Sequence, residues 1–130
     1  MKYDLETGPH TAYALQYQFV IIIKYRADLL TGKMAEGIGE ITGGISEDFG
    51  VNIQNVNVGS DHVHIPFTAK PTTNLTRFIN SLKGVTSRKI REKNPEVRQA
   101  LNSAFWQPGY SLATTGQMSI DVLMEYVEEQ

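Results

Sequence analysis

Hydrophobic and polar positions alternate from Tyr13 to Lys24. Tyr13, Leu15, Tyr17, Phe19, Ile21 and Ile23 fall on one face; Ala14, Gln16, Gln18, Val20, Ile22 and Lys24 fall on the other. The second face is polar at its start and apolar near its end, the pattern of a central strand with one end open to a site. Met34, Ile38, Ile41, Ile45 and Phe49 then recur at helical spacing and predict a helix, with Gly50 as its C-terminal stop. Val51 to Val58 predicts a strand with a bulge at Gln54-Asn55, where the apolar phase slips. Gly59-Ser60-Asp61 turns the chain back into a strand from His62 to Thr68, with Val63, Ile65 and Phe67 on the core side. Pro66 cannot donate to a ladder, which predicts an edge strand or a strand end there. A long helix follows from about Thr73, with Leu75, Phe78, Ile79, Leu82 and Val85 apolar. Asn94-Pro95 breaks it, and a shorter helical piece runs through Val97 to Leu101. Trp106 to Gly109 reads as a turn, Tyr110 to Thr115 as a short strand, Gly116 as a hinge and Ser119 as the N-cap of a last helix.

This order, β-α-β-β-α-β plus a terminal helix, predicts an α+β chain with a ferredoxin-like antiparallel sheet. Its helices cover one face, and residues 1–130 make one domain. No apolar run is long enough to span a membrane, and the N-terminus lacks a secretory stretch, so the expected location is cytoplasmic. The absence of cysteine excludes disulfides, Cys-based zinc sites and thiol nucleophiles.

Candidate chemistry centres on His62-Val63-His64. Side chains on a strand alternate, so the two imidazoles point the same way and can share one metal ion while Val63 faces the core. Asp61 is placed either to orient an imidazole as an outer acceptor or simply to make the turn. In the last helix, Tyr126 and Gln130 stand one turn apart and set a phenol and an amide oxygen on one face. Two histidines, a tyrosine and a further ligand can form a phosphodiester-cutting site.

The net charge of −2 does not advertise a nucleic-acid binder, but its distribution is uneven. Lys70, Arg77, Lys83, Arg88, Lys89, Arg91, Lys93 and Arg98 are opposed only by Glu92 and Glu96, whereas the C-terminal segment carries Asp121, Glu125, Glu128 and Glu129. The basic stripe is either a phosphate-binding footprint or a solvated helix face.

Several segments together resemble a known family. Lys24-Tyr25-Arg26 with Leu30-Thr31-Gly32 is similar to its N-terminal segment. Asp61-His62-Val63-His64 is similar to its HUH motif (His, a bulky apolar residue, His). Leu82-Lys83-Gly84 with Ser87-Arg88 is similar to its DNA-binding helix. Trp106-Gln107-Pro108-Gly109-Tyr110 is similar to its aromatic turn, and Glu125 to Gln130 to its terminal helix. The chain resembles the IS200/IS605-type transposases, single-tyrosine HUH enzymes, from about Tyr13 to Gln130. The order and spacing of the motifs carry the resemblance.

The resemblance implies an enzyme of DNA transposition and recombination. Such an enzyme binds single-stranded DNA hairpins at insertion-sequence ends and cuts and rejoins strands through a 5′-phosphotyrosine. It implies Tyr126 as nucleophile and His62, His64 and Gln130 as ligands of a divalent metal ion, Mg2+ or Mn2+. It also implies DNA contacts by Arg77, Lys83, Arg88, Lys89 and Arg91, and a homodimer. The sequence departs from the family at Ile65-Pro66, where leucines usually follow the HUH triplet, and at Thr115-Gly116-Gln117, where a second glycine is usual. Two alternatives stay open: a non-catalytic single-stranded nucleic-acid-binding module, and a domesticated regulator of the same fold.

Overall fold

The alternation around residue 20 becomes the middle of the sheet. The computed structural model describes residues 6–7, 12–13, 15–114, 124–125 and 127–128. Glu6–Thr7 (β1) and Ala12–Tyr13 (β2) form a short antiparallel hairpin, and Gln16–Ile22 (β3) opens the main sheet. A 3-10 turn at Lys24–Arg26 leads to helix Gly32–Phe49 (α1). Val51–Ile53 (β4), Asn57–Val58 (β5) and His62–Ala69 (β6) follow. Helices Leu75–Lys93 (α2) and Pro95–Ala100 (α3) lead into Ser111–Thr114 (β7).

The strands lie in the order β4-β6-β3-β7, with β5 also paired to β6, and every pairing is antiparallel. This is the ferredoxin-like arrangement, α+β, with β3-α1-β4/β5 and β6-α2-β7 as its two halves. The expected first strand was too long at both ends: Tyr13 belongs to the β1–β2 hairpin and Lys24 to the 3-10 turn.

The two long helices, α1 and α2, each start where a side chain satisfies a free backbone N–H. Thr31 Oγ1 accepts from the Met34 N–H (3.3 Å), and Asn74 Oδ1 accepts from the Arg77 N–H (3.1 Å). α1 ends on Gly50 at φ 66°, a left-handed position that glycine adopts without steric cost. The buried stripe of α1 is Met34, Ile38, Thr42 and Ser46, while Ile41, Ile45 and Phe49 are only partly buried. Thr42 and Ser46 are tolerated there because their hydroxyls donate to the carbonyls of Ile38 (2.7 Å) and Gly43 (2.8 Å).

Both helices pack on the face carrying Phe19, Ile21 and Ile23 of the first run and Val63, Ile65 and Phe67 of β6. Phe78, Ile79 and Leu82 of α2 complete this core. Each such fully buried side chain contributes roughly 1.5–3 kcal/mol. Trp106 is locked in by its indole N–H, which donates to Thr86 Oγ1 at 2.9 Å.

Pro66 corrects one expectation: β6 is interior, with β3 on one side and β4 and β5 on the other. Three residues, 54–56, stand opposite two, 65–66, so a one-residue bulge falls beside the proline. The Pro66 carbonyl accepts the Gln54 N–H at 2.9 Å. In an antiparallel strand the N and C=O of one residue point the same way. The donor that proline lacks would therefore have faced the bulge, where the ladder is already interrupted.

Candidate active site

The register places both histidines on the face away from α1 and α2. His64 lies opposite Val20 and His62 opposite Ile22, and cross-strand partners share a face. Val20 and Ile22 are fully buried there beneath Met124 and Val127, with Ala113 of β7 beside them. Residues 124–125 and 127–128 have helical backbone, so part of the C-terminal segment is docked on the histidine face. Gln107 Nε2 donates to the Val127 carbonyl at 3.0 Å and fixes the segment from the side. Tyr126, Gln130, Gly116 and Ser119 lie outside the described residues.

His62 is held tightly. Its Nδ1 meets Asp61 Oδ1 at 2.8 Å, and its ring lies against Gly59, where a Cβ would sit 2.4 Å from Cε1. A Cβ there would displace the ring, so glycine keeps His62 in this position. Burial alone would raise the Asp61 carboxyl, but hydrogen bonds from His62 and Arg26 outweigh it and hold the group below its ordinary range. With Nδ1 on a carboxylate, Nε2 is the nitrogen of His62 left to hold a cation.

His64 Nδ1 lies 3.2 Å from Asn57 Nδ2, and its Nε2 contacts Gln18 Oε1. An amide NH2 donates, so Nδ1 accepts and Nε2–H donates to Gln18 in this arrangement. Burial, reinforced by the neighbouring His62, pushes the His64 imidazole below its usual value and favours the neutral form that a metal requires. With both ring nitrogens engaged, His64 would ligate an ion only on giving up one of these contacts; with that contact released, His62 and His64 form a two-imidazole set on one face that fits a divalent first-row ion. Among the described residues, no group of three His, Cys, Asp or Glu side chains gathers to hold a metal, so any third side-chain ligand of those types lies elsewhere.

Arg26 was not singled out beyond its place in the Lys24-Tyr25-Arg26 segment, yet it ties the site together. Its Nε donates to Asp61 Oδ2 at 2.8 Å, and its Nη1 pairs with Glu128. Tyr25 and Arg26 adopt left-handed φ of 61° and 51°, each at a cost on the order of 1–2 kcal/mol. The turn is stitched down by Ile23 N–H to the Asp61 carbonyl (2.9 Å), Lys24 N–H to the Phe105 carbonyl (2.9 Å) and Leu30 N–H to the Ser60 carbonyl (3.0 Å). Gln18, Asn57 and Gly59 were likewise missed. The polar start of the second face of β3 was the signal for Gln18.

The basic residues of α2 lie across the sheet from the histidines. Arg77, Arg88 and Lys89 are exposed. Lys83 turns inward: its Nζ donates to the carbonyls of Gly109 (2.9 Å) and Gln107 (3.4 Å), and burial lowers its pKa. Arg91 donates to the Ser87 carbonyl (3.1 Å) and the Asn102 carbonyl (2.8 Å).

The model of the IS200-like transposase family matches residues 11–130. This chain belongs to that family. The IS200-like chain is 27% identical to the ISDra2 transposase TnpA of Deinococcus radiodurans over 98% of its own length and 91% of that protein. It is 26% identical to the transposase for insertion sequence element IS200 of Salmonella typhimurium, over 98% and 84% of the two chains. A transposase crystal structure from Deinococcus radiodurans R1 superposes with a TM-score of 0.83 at 26% identity, covering 96% and 97% of the chains. A REP-associated tyrosine transposase bound to a REP hairpin shares the fold, with a TM-score of 0.59 at 13% identity and coverage of 95% and 68%. Insertion-sequence transposition and DNA binding follow from the family. No helix among the described residues is long and apolar enough to cross a membrane.

Proposed function

We propose that this IS200-like transposase binds single-stranded DNA hairpins at insertion-sequence ends and cuts and rejoins strands through a 5′-phosphotyrosine on Tyr126. One observation carries the reading. His62 and His64 share a sheet face with Met124 and Val127, and those two buried residues bracket Tyr126 in the sequence. In this reading, Tyr126 Oη bonds to the scissile phosphorus and the bond from phosphorus to the 3′ oxygen breaks. The phenolic proton balances the freed 3′-hydroxyl. The phosphotyrosine keeps the diester's free energy, so the reverse attack by a 3′-hydroxyl rejoins strands without ATP.

His62, His64 and Gln130 are the proposed ligands of Mg2+ or Mn2+. The ion, when bound, neutralises a phosphate oxygen and aligns the target for in-line attack. Asp61 keeps His62 in the ligating tautomer, and His64 would ligate by exchanging one of its two contacts, Gln18 or Asn57, for the ion while the other orients the ring. The exposed cations of α2, Arg77, Arg88 and Lys89, are proposed to hold the hairpin on the other side of the sheet. Lys83 and Arg91 support that surface through the carbonyls they bind. The packing of Met124 and Val127 on their own chain supports action in cis, and a homodimer would let the same tail serve a partner.

The test is incubation of the protein with labelled hairpin DNA carrying single-stranded flanks, with Mn2+. A covalent protein–DNA adduct mapped to Tyr126, and lost in Tyr126→Phe, is the expected result. No adduct across a panel of insertion-sequence ends, or an adduct unchanged in Tyr126→Phe, overturns the reading in favour of a non-catalytic binding protein.

A further inference from the structure

The Tyr25 side chain is 79% exposed, the one large hydrophobic so exposed among the described residues. Its backbone sits at φ 61°, ψ 14°, a sparsely populated conformation for a bulky residue. Its neighbour Arg26, also at positive φ, reaches in the other sense to Asp61, which in turn holds His62. The strained turn therefore fixes a guanidinium into the site while leaving an aromatic ring in solvent beside it. Strain of this kind persists where surrounding contacts over-determine it, and here the bonds from Ile23, Lys24 and Leu30 do so. Lys24 Nζ lies 5.4 Å from the Tyr25 ring centroid, so a cation stands beside the exposed ring, while the Arg26 charge is met by Asp61 and Glu128. An exposed aromatic beside a lysine matches the chemistry of a single strand, whose bases stack on π-faces and whose phosphates seek cations. Tyr25 is joined to the histidine site through its neighbour Arg26, whose guanidinium bonds the Asp61 carboxylate that holds His62.

We infer that Tyr25 is a stacking platform for an unpaired base flanking the scissile phosphate, with Lys24 neutralising the adjoining phosphodiester. The inference rests on the cleavage reading above and adds a subsite to it. Tyr25 acts here through its ring, so the hydroxyl is dispensable and any aromatic substitutes.

The experiment measures binding separately from cleavage. Hairpin oligonucleotides with a single abasic position moved along each flank are titrated against wild type, Tyr25→Ala, Tyr25→Phe and Tyr25→Trp, and adduct yield is recorded in parallel. In wild type, one abasic position weakens binding roughly 5- to 150-fold, the range of a lost base–aromatic stack. Tyr25→Ala binds the intact oligonucleotide weaker by a similar factor and no longer distinguishes that abasic position. Tyr25→Phe and Tyr25→Trp restore the discrimination. A wild type equally indifferent to every abasic position, or a Tyr25→Ala that keeps the wild-type profile, overturns the platform. Loss of binding in Tyr25→Phe overturns it too, because it assigns the work to the hydroxyl. An abasic-sensitive wild type that forms no adduct sinks the cleavage reading and leaves the platform standing; a robust adduct with a flat abasic profile does the reverse.

Discussion

Arg26 and Glu128, 102 residues apart in sequence, form an ion pair, and the same guanidinium bonds Asp61. The pair links the docked C-terminal segment to the carboxylate that orients His62. Arg26 is about half exposed, so the pair itself adds little stability, on the order of 0–1 kcal/mol. Its value is positional. Glu128→Gln should leave thermal stability almost unchanged while increasing hydrogen exchange at residues 124–128. Arg26→Ala should do this and also loosen His62, lowering Mn2+ affinity where Glu128→Gln does not. Equal effects of the two substitutions on Mn2+ affinity would show that Arg26 does not serve the two partners separately.

His62 is held by a carboxylate on one side and a glycine on the other. Asp61→Asn keeps the size but loses the charge, and loss of such an outer partner typically costs about 10- to 100-fold in metal affinity. Gly59→Ala places a methyl 2.4 Å from the His62 ring, and the ring rather than the backbone should give way because its side chain is 26% exposed. Both variants should fold, bind hairpin DNA normally and show weaker Mn2+ binding by calorimetry. A Gly59→Ala protein with wild-type Mn2+ affinity would contradict the placement of His62.

Most of the sheet was legible because strict alternation leaves one reading of each face. Phe19, Ile21 and Ile23 against Val20 and Ile22, and Val63, Ile65 and Phe67 against His62 and His64, appear on the faces that their parity dictates. α2 was legible for the same reason at helical period. Pro66 was misread because the cost of a missing donor depends on what stands opposite, and the bulge that removes the cost belongs to another segment. The buried stripe of α1 was misread at Thr42 and Ser46, whose hydroxyls find acceptors within their own helix. Arg26 was invisible as a link because its partners lie 35 and 102 positions away, and no local periodicity carries such a contact.

Acid should destabilise the metal-free protein in two steps. His64 is pushed below its ordinary 6.5, so the unfolded chain takes up that proton before the folded one. The stability this represents is complete above about pH 6.5 and is lost as pH falls through the lowered folded value. Asp61 has the same sign: its folded value lies below 3.8, so its contribution is lost only at lower pH. Urea midpoints measured in chelator should therefore fall as the pH drops below about 6.5, and His64→Gln should flatten that limb. A midpoint that holds steady or rises as the pH drops below about 6.5 in the wild type would refute the neutral state of His64.

Docking of the tail should be separable from hairpin binding because the proposed hairpin surface, the cations of α2, lies on the opposite side of the sheet from the tail. Val127 is fully buried against Val20 and Ile22, and truncation to alanine removes about two methylene equivalents, near 1.6 kcal/mol. The segment is held by only two buried side chains, the Gln107 bonds and the Arg26 pair among the described residues, so that loss should release the segment while the core survives. Val127→Ala should cut the yield of covalent adduct about tenfold, Val127→Asp should abolish it, and Val127→Ile should keep it. Hairpin affinity should stay within about twofold of wild type in all three, a difference of less than about 0.5 kcal/mol. Parallel loss of adduct and hairpin affinity in Val127→Asp, with the fold intact by circular dichroism, would place the hairpin against the tail and remove the division of labour between the two faces.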